Sequence, residues 1–595
     1  MAEKTPSTIC DALDYRTQLT PNQPLMFFRE RSWTCKEVQD QVQRLTHGFQ
    51  EAGLTPGERL LGVFDKSPEA VLCFLATVQA GGVFVPVNPQ LGDPEVEIVF
   101  RETNPGILVA SLLHIDRFRH LSAKMNSNPK GCRVYSSEVD GTDGLGQILA
   151  KQPAGATSYP SDPDDVVYLN YTSGTTGIPK GAVTTHRHII ENTHSVAQAL
   201  KLQRDDVHLC MFPIHTHPHE IFARPLLLGG SFVLVDSIHP RTIAEAITRH
   251  RITCMMGVTP MYRSLLNVAN SPEYDFSSLR TPESGGMDSP VSFVEEFEQA
   301  FGRRFLPVWG STETSGVAIA TPPMGEAIPG SLGRACPGYE VKLVNENGTE
   351  VEGSGEGEMW VRGAAVVSEY WKRPEDTKTA FQDRWYRTGD IVRREDGGFY
   401  TFQGRLYGMM KVGGMKVFPV EIERVLSEHP SVEEAIVIGV KDRMKGEIPK
   451  AFVIPKPGTC PSRTELRKHC QERLPLYKMP RRFEFRDSLP RTPGGKVYRS
   501  ILESSETSTE PIEPVSDVQE ELVRIDRRIL SLLNRRFQLL GQETEPKTPM
   551  LIPEDYLQRV LDSNQGPLYD DVAEDLIKQI HSATTRHDLR FPRGK

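Results

Sequence analysis

Between Tyr171 and Val183 the sequence reads YTSGTTGIPKGAV, with three glycines and four Ser or Thr hydroxyls set around one proline and one lysine. Nothing in that run suits a core. The backbone N–H groups and hydroxyls of Thr172, Ser173, Gly174, Thr175, Thr176 and Gly177 can turn toward an anion, because glycine permits the left-handed backbone and close approach that this requires. Lys180 adds a point charge, so the ligand implied is a polyphosphate. The spacing GxxxxGK[ST] is absent, which excludes a Walker A loop. Read alone, the segment is also compatible with a flexible surface loop. A second cluster lies in FPIHTHPHEIFARPL (212–226), where His215, His217 and His219 alternate. Such an HxHxH invites a metal reading; packing or surface histidines and pocket-lining histidines are the alternatives.

These groups need a scaffold, and the chain offers alternating β-rich and helix-spaced runs from about residue 14 to 496. LLGVFD (60–65) and SFVLVD (231–236) read as strands, while SPEAVLCFLATVQAG and PRTIAEAITRH read as helices. That alternation predicts α/β layers. The most apolar stretch, Ala70 to Val87, is broken by Gln79, Gly81-Gly82 and Pro86. It predicts a buried helix, a turn and a buried strand, not a membrane span. At 595 residues the chain exceeds one core and should form several domains. A net charge of -9 argues against a nucleic-acid or membrane-surface binder. Nine cysteines without a CxxC pair suggest neither a zinc ribbon nor a disulfide framework, and the first ten residues lack a signal peptide's apolar stretch. A cytoplasmic enzyme with reduced thiols is expected.

The loop resembles the phosphate loop of the adenylate-forming superfamily, which includes acyl-CoA and aryl-CoA synthetases. Further motifs follow in that family's order: AGGVFVPVNP (80–89), WGSTET (309–314), YRTGD (386–390), Gly404-Arg405, KVGGMKVFPVEIE (411–423) and PRTPGGKVYR (490–499). The resemblance implies a large N-terminal α/β domain over residues 1–404 and a small, mobile α+β lid over 405–502. It implies an ATP- and Mg²⁺-dependent ligase that adenylates a carboxylic acid, releases pyrophosphate, and passes the acyl group to CoA or the phosphopantetheine thiol of a carrier protein.

Roles follow from the resemblance residue by residue. Glu313 would bind Mg²⁺, a hard cation that favours carboxylate oxygens. Thr312 would hydrogen-bond phosphate. Trp309 stands where the family usually has a tyrosine stacked on adenine. Asp390 would accept from the ribose diol with Arg405 in support, and SGGMD (284–288), including Gly286, would line the adenine edge. Lys496, delivered by the lid, would stabilise charge building on the transferring phosphoryl oxygens. Lys411, Gly413 and Gly414 would line the thiol tunnel in a second lid pose. The hinge position is Tyr407, where the family usually has an acidic residue or lysine. The acyl pocket would draw on His215, His217, Gly285 and Gly310, with Tyr262 and Arg263 contributing. Its histidines hint at an aromatic hydroxy acid or a dicarboxylate.

Composition changes at residues 503–516, an acidic, hydroxyl-rich linker. Beyond it Val518, Leu522, Ile525, Ile529, Leu532 and Leu533 recur at helical spacing. Residues 517–590 resemble the all-helical chorismate mutase family. Arg536 and Lys547 match its retained cations, but Gln519 and Asp588 replace an expected arginine and glutamine. The lost cation and the added carboxylate weaken binding of a dianion. The tail is therefore expected to be a degenerate, dimerising module, with an active mutase as the alternative. Such a fusion tilts the acid toward a chorismate-derived aromatic.

Overall fold

The computed structural model describes residues 6–503 except 126–130, 139–143, 154, 156–157, 173–178, 217–219, 221, 407, 413–414, 443–444, 492–496 and 500. The helical tail, and with it Arg536 and Lys547, lies outside the described residues. The chain divides into two units after Ser504, at the start of the expected linker.

Two sheets carry the site. The first has nine strands, and its interior is parallel: Pro24–Phe28, Ser231–Leu234, Val207–Cys210, Cys254–Gly257, Thr281–Ser284 and Leu306–Ser311 lie side by side. Such strands read as continuous apolar runs because both faces are covered. One face packs on Leu209, Met211, Val233, Met255, Ile243, Ile247, Phe293 and Phe297. In open sheets of this kind ligands gather outside the carboxyl ends of the strands. The loops at 211–216, 284–288 and 311–315 leave from those ends.

The second sheet has six strands and ends in the antiparallel hairpin Val166–Thr172 / Lys180–Thr185. The expected buried helix and strand are Pro68–Gln79 and Val83–Pro86, with Gly81 at φ +79° in the turn between them. PRTIAEAITRH is the helix Pro240–His250, as its spacing predicts.

After the hairpin the chain enters the helix His186–Leu200. Thr185 Oγ1 accepts from the His188 N–H (3.4 Å), and His188 Nδ1 accepts from the Thr185 N–H (3.1 Å). A histidine thus completes the reciprocal cap that glutamate usually makes. Beside it, His186 is 1% exposed and its Nδ1 accepts from the Ile9 N–H (3.1 Å). Burial pushes the His186 pKa down to about 4, with nearby Asp165, Asp11 and Asp162 opposing.

A five-stranded antiparallel sheet including Gly355–Gly363, Trp385–Arg394 and Tyr400–Arg405 completes the large domain. The small domain is built on the long hairpin Val432–Asp442 / Gly446–Pro455, with the helices Pro419–Ser427 and Arg463–Gln471 packed against it. Among the described residues no helix is long and apolar enough to cross a membrane.

Candidate active site

The glycine- and hydroxyl-rich loop is a hairpin connection: Thr172 pairs with Lys180 across its base. Ser173, Gly174, Thr175, Thr176 and Gly177 lie outside the described residues, so the structure reports on the base of the loop. There the Lys180 ammonium meets Asp376 at 2.5 Å and lies 5.7 Å from the centre of the Tyr370 ring. Tyr370 is brought in because residues 369–371 run along the outside of the hairpin. The Val183 N–H donates to the Glu369 carbonyl (3.1 Å) and the Trp371 N–H to that of Gly181 (2.8 Å).

Tyr370 is the link that sequence reasoning missed. Its hydroxyl donates to Glu313 Oε1 at 2.6 Å. Burial, then the Glu313 charge, push its pKa well above the usual phenol range, so it stays a donor. Tyr386 is shifted the same way, by burial first and then by Glu313. Glu313 itself is 7% exposed. It rides on the turn joining Leu306–Ser311 to Gly316–Ala320. The Ser315 N–H returns to the Thr312 carbonyl (3.1 Å) with Ser315 at φ +54°, a tight left-handed turn that projects Thr312 and Glu313 together. A buried carboxylate with one oxygen held by a phenol has its second oxygen to offer a hard cation. The donor set therefore fits Mg²⁺.

The same hairpin carries Trp309. Pairing slips between Trp309 and Gly310, a bulge of the kind that re-aims a side chain. The indole Nε1 donates to Asp390 Oδ2 at 2.7 Å, with Trp309 8% and Asp390 2% exposed. Asp390 and Arg405 are register partners on adjacent strands, and the Arg405 Nε lies 2.9 Å from Asp390 Oδ1. Asp390 and Arg405, each expected to serve the ribose, are thus in direct contact. Trp309 was expected to serve through its ring face; what the structure shows is its N–H orienting the carboxylate.

Other expected residues fare differently. Gly310 has a packing reason: a Cβ there would stand 2.3 Å from the Gly316 carbonyl oxygen. A Cβ at Gly285 would press on Val308 at 3.1 Å, and Gly286 has φ +76°. At the end of that segment Asp288 is gripped by Arg424 of the small domain, at 3.0 and 2.8 Å.

His215 lies in the loop after Val207–Cys210, and neither ring nitrogen has a hydrogen-bond partner among the described residues. Burial lowers its pKa to about 4, so the ring is neutral. His217 and His219 lie outside the described residues. Tyr262 and Arg263 are corrections. Tyr262 is fully buried on the apolar side of the sheet, edge-on to Phe297 and Phe305. Its hydroxyl sits between the carbonyls of Met255 (2.5 Å) and Glu283 (2.9 Å). Arg263 lies over the Phe293 ring at 4.8 Å.

In the small domain Lys411 is exposed on the strand Met410–Val412, its backbone N–H donating to Glu447 (2.8 Å). Gly413, Gly414, Tyr407 and Lys496 lie outside the described residues. The ends of the loop that carries Lys496 are joined, Arg491 bridging to Val497. Arg499 then ties the segment to Glu423 at 2.7 Å and donates to the Val437 carbonyl at 2.7 Å.

Two clusters thus meet one hairpin, Leu306–Ser311 / Gly316–Ala320: a carboxylate with a phenol and a lysine, and a carboxylate with an indole and a guanidinium. Comparison with known proteins gives the arrangement a lineage. Residues 13–371 match the AMP-binding enzyme family and residues 421–496 match the AMP-binding enzyme C-terminal domain. A feruloyl-CoA synthase from Amycolatopsis sp. is 32% identical over 81% of this chain and 96% of its own. The anthranilate CoA ligase AuaEII, solved with anthranoyl-AMP, superposes with a TM-score of 0.78 at 28% identity, over 84% of this chain and 97% of that one. ATP-bound MatB from Rhodopseudomonas palustris gives a TM-score of 0.78 at 27% identity, over 84% and 99%. The two matches fall in the large and the small domain; the chain belongs to the AMP-binding enzyme family and is an AMP-forming acyl- or aryl-CoA ligase.

Proposed function

We propose that this ligase activates an aromatic or otherwise polar carboxylic acid in a Mg²⁺-dependent step and passes the acyl group to CoA, with a carrier-protein thiol as the other acceptor of the same chemistry. The observation that carries the reading is the convergence of Lys180, Tyr370 and Glu313 at the base of the 173–178 loop. Bound Mg²⁺ would neutralise charge on the phosphates. Glu313 would hold it, Tyr370 would fix the carboxylate's orientation, and Lys180, with the loop's N–H groups and hydroxyls, would hold the polyphosphate. Asp390, oriented by Trp309 and Arg405, would take the ribose hydroxyls. Lys496 would stabilise the charge on the transferring phosphoryl group. Lys411, Gly413 and Gly414 would face the incoming thiol once the small domain, from Arg405 to residue 502, has turned.

The neutral His215, without a hydrogen-bond partner among the described residues, supports a polar acid over a long alkyl chain, as do the relatives named for feruloyl and anthranilate substrates. The tail beyond residue 516 would dimerise without mutase activity, and the protein would work in the cytoplasm. The test is acid-dependent ATP–pyrophosphate exchange across aromatic, aliphatic and dicarboxylic acids, with and without Mg²⁺. Exchange with long alkanoates alone, or undiminished after chelation of Mg²⁺, refutes the reading.

A further inference from the structure

Glu102 sits in the last turn of the helix Asp93–Thr103, a place where the helix dipole disfavours a carboxylate. It is drawn in nonetheless, with 14% of its side chain exposed. Two cations and two neutral donors hold it there. Arg373 Nη2 lies 2.6 Å from Glu102 Oε1, and the Tyr171 hydroxyl donates to Oε2 at 3.0 Å. The Glu102 carbonyl, left without an intrahelical partner by the helix end, accepts from the Trp371 indole N–H (3.1 Å) and the Lys372 ammonium (2.6 Å). Three of these four donors come from consecutive positions, 371–373.

Those three residues follow Tyr370 directly. The Arg373 N–H returns to the Tyr370 carbonyl (3.2 Å) in a turn that puts Lys372 at φ +53°, a left-handed backbone that a lysine keeps only where its surroundings impose it. The helix Pro374–Ala380 starts there and carries Asp376 to Lys180. One end of this strap thus reaches Glu313 through Tyr370 and the other reaches Lys180 through Asp376, while its middle is fastened to Glu102.

Tyr171 ties the hairpin into the same network. It is the register partner of Gly181 and stands next to Thr172, the last residue before 173–178. Its ring lies so close over Gly181 that a Cβ there would meet it at 2.8 Å, and the Gly181 carbonyl accepts from the Trp371 N–H (2.8 Å). Burial, and then the Glu102 charge, push the Tyr171 pKa above the usual phenol range, so the hydroxyl stays a donor. Strap and hairpin are pinned to one carboxylate.

We propose that Glu102 is a positioning residue for the polyphosphate and Mg²⁺ site: by fixing Tyr171 and the 371–373 strap, it sets Tyr370 on Glu313 and Asp376 on Lys180. The inference rests on the roles proposed above for Glu313 and Lys180, and it adds a residue outside every motif read from the sequence. Neutralising Glu102 leaves Arg373 without its anion and lets the strap shift. A small shift spoils the Tyr370–Glu313 bond, and a carboxylate without that bond is less well aimed at a cation. The acid, assigned to other residues, binds as before.

The experiment is ATP–pyrophosphate exchange by the full chain, with the best acid of the carboxylate panel, comparing Glu102→Gln, Tyr171→Phe and Tyr370→Phe. Glu102→Gln keeps the side chain's size, an oxygen for Tyr171 and the backbone carbonyl, and deletes the charge. The KM for ATP and the Mg²⁺ concentration for half-maximal exchange should each rise roughly 10-fold, the lower end of what losing an outer partner costs a metal site. The KM for the acid should stay where it is. A merely structural role would reduce the amount of active enzyme without moving these constants. Tyr171→Phe removes one hydroxyl and keeps the ring over Gly181; where Glu102→Gln cannot be recovered folded, a joint rise of the same two constants in Tyr171→Phe decides. If Tyr370→Phe raises the Mg²⁺ requirement and Glu102→Gln does not, the proposal is overturned while the reading of Glu313 stands. An equal rise in the KM for the acid also overturns it. If Tyr370→Phe leaves the Mg²⁺ requirement unmoved, the Tyr370–Glu313 reading falls, and the proposal with it.

Discussion

Trp309→Phe separates two things the tryptophan can do. Phenylalanine keeps an aromatic face for adenine but deletes the indole N–H that holds Asp390 at 2.7 Å. Donor and acceptor are both buried, at 8% and 2% exposure, so this is a charge-assisted bond of about 1.5–3 kcal/mol. The Arg405 contact at 2.9 Å survives, but its side chain is 60% exposed and solvent-screened. It can hold the carboxylate only in part, and the loss falls in the lower half of that range. At about 1.4 kcal/mol per decade this is roughly a 10- to 30-fold effect. Asp390 would serve nucleotide binding in ground and transition states alike, so the change belongs in KM for ATP with kcat little altered. Exchange assays with ATP and 3′-deoxy-ATP test it: KM for ATP should rise, and the penalty for removing the 3′-hydroxyl should shrink. An unaltered KM for both nucleotides would refute the claim that the indole N–H positions Asp390.

Lys496→Ala should depress adenylation by about 10²–10³, as expected for loss of one preorganised charge, while thioester formation from a preformed acyl-adenylate persists; single-turnover assays of each half-reaction read this. Gly413→Leu should do the reverse, slowing thioester formation while ATP–pyrophosphate exchange continues. Deleting residues 504–595 should convert a dimer to a monomer that retains ligase activity, by light scattering, and the full chain should not convert chorismate to prephenate. Stability should also fall with acid. The His186 pKa is about 4 in the fold against 6.5 unfolded, so the unfolded chain binds the extra proton between those values, and stability declines as pH drops below 6.5. Denaturant unfolding of His186→Asn, whose amide oxygen can still accept from the Ile9 N–H, should show a pH slope shallower by about 1.4 kcal/mol per unit in that window.

Local signals carried the alternation of strands and helices and the order of the motifs. The helix Pro68–Gln79, the Gly81 turn and the strand Val83–Pro86 were readable because burial there is nearly complete and the break falls at glycine. Asp390 and Arg405 were readable as candidates because both belong to motifs, but their contact follows from strand register. Tyr370 was not. It reaches Glu313 from 57 residues away, through a segment laid against the hairpin edge, and nothing in SEYW advertises a ligand. The misplacement of Tyr262 has the same root. Its helix, Thr259–Leu266, is only eight residues long, and which face meets the core depends on sheet topology, not on local spacing.

Arg424 grips Asp288 of the large domain at 3.0 and 2.8 Å and the Phe402 carbonyl at 2.9 Å. It therefore works as a clasp between the helix Pro419–Ser427 and the 284–288 segment of the large domain. Any turn of the small domain about the Arg405 region must first open it. With 28% and 24% of the two side chains exposed, the clasp feels dissolved salt, and high ionic strength should loosen it before it touches the buried contacts of Glu313 or Asp390. Asp288 stands two residues from Gly286, so if that segment lines the adenine edge as expected, a bound nucleotide would tug on the clasp. Nucleotide occupancy and the stance of the small domain would then become one variable, coupled through a single guanidinium.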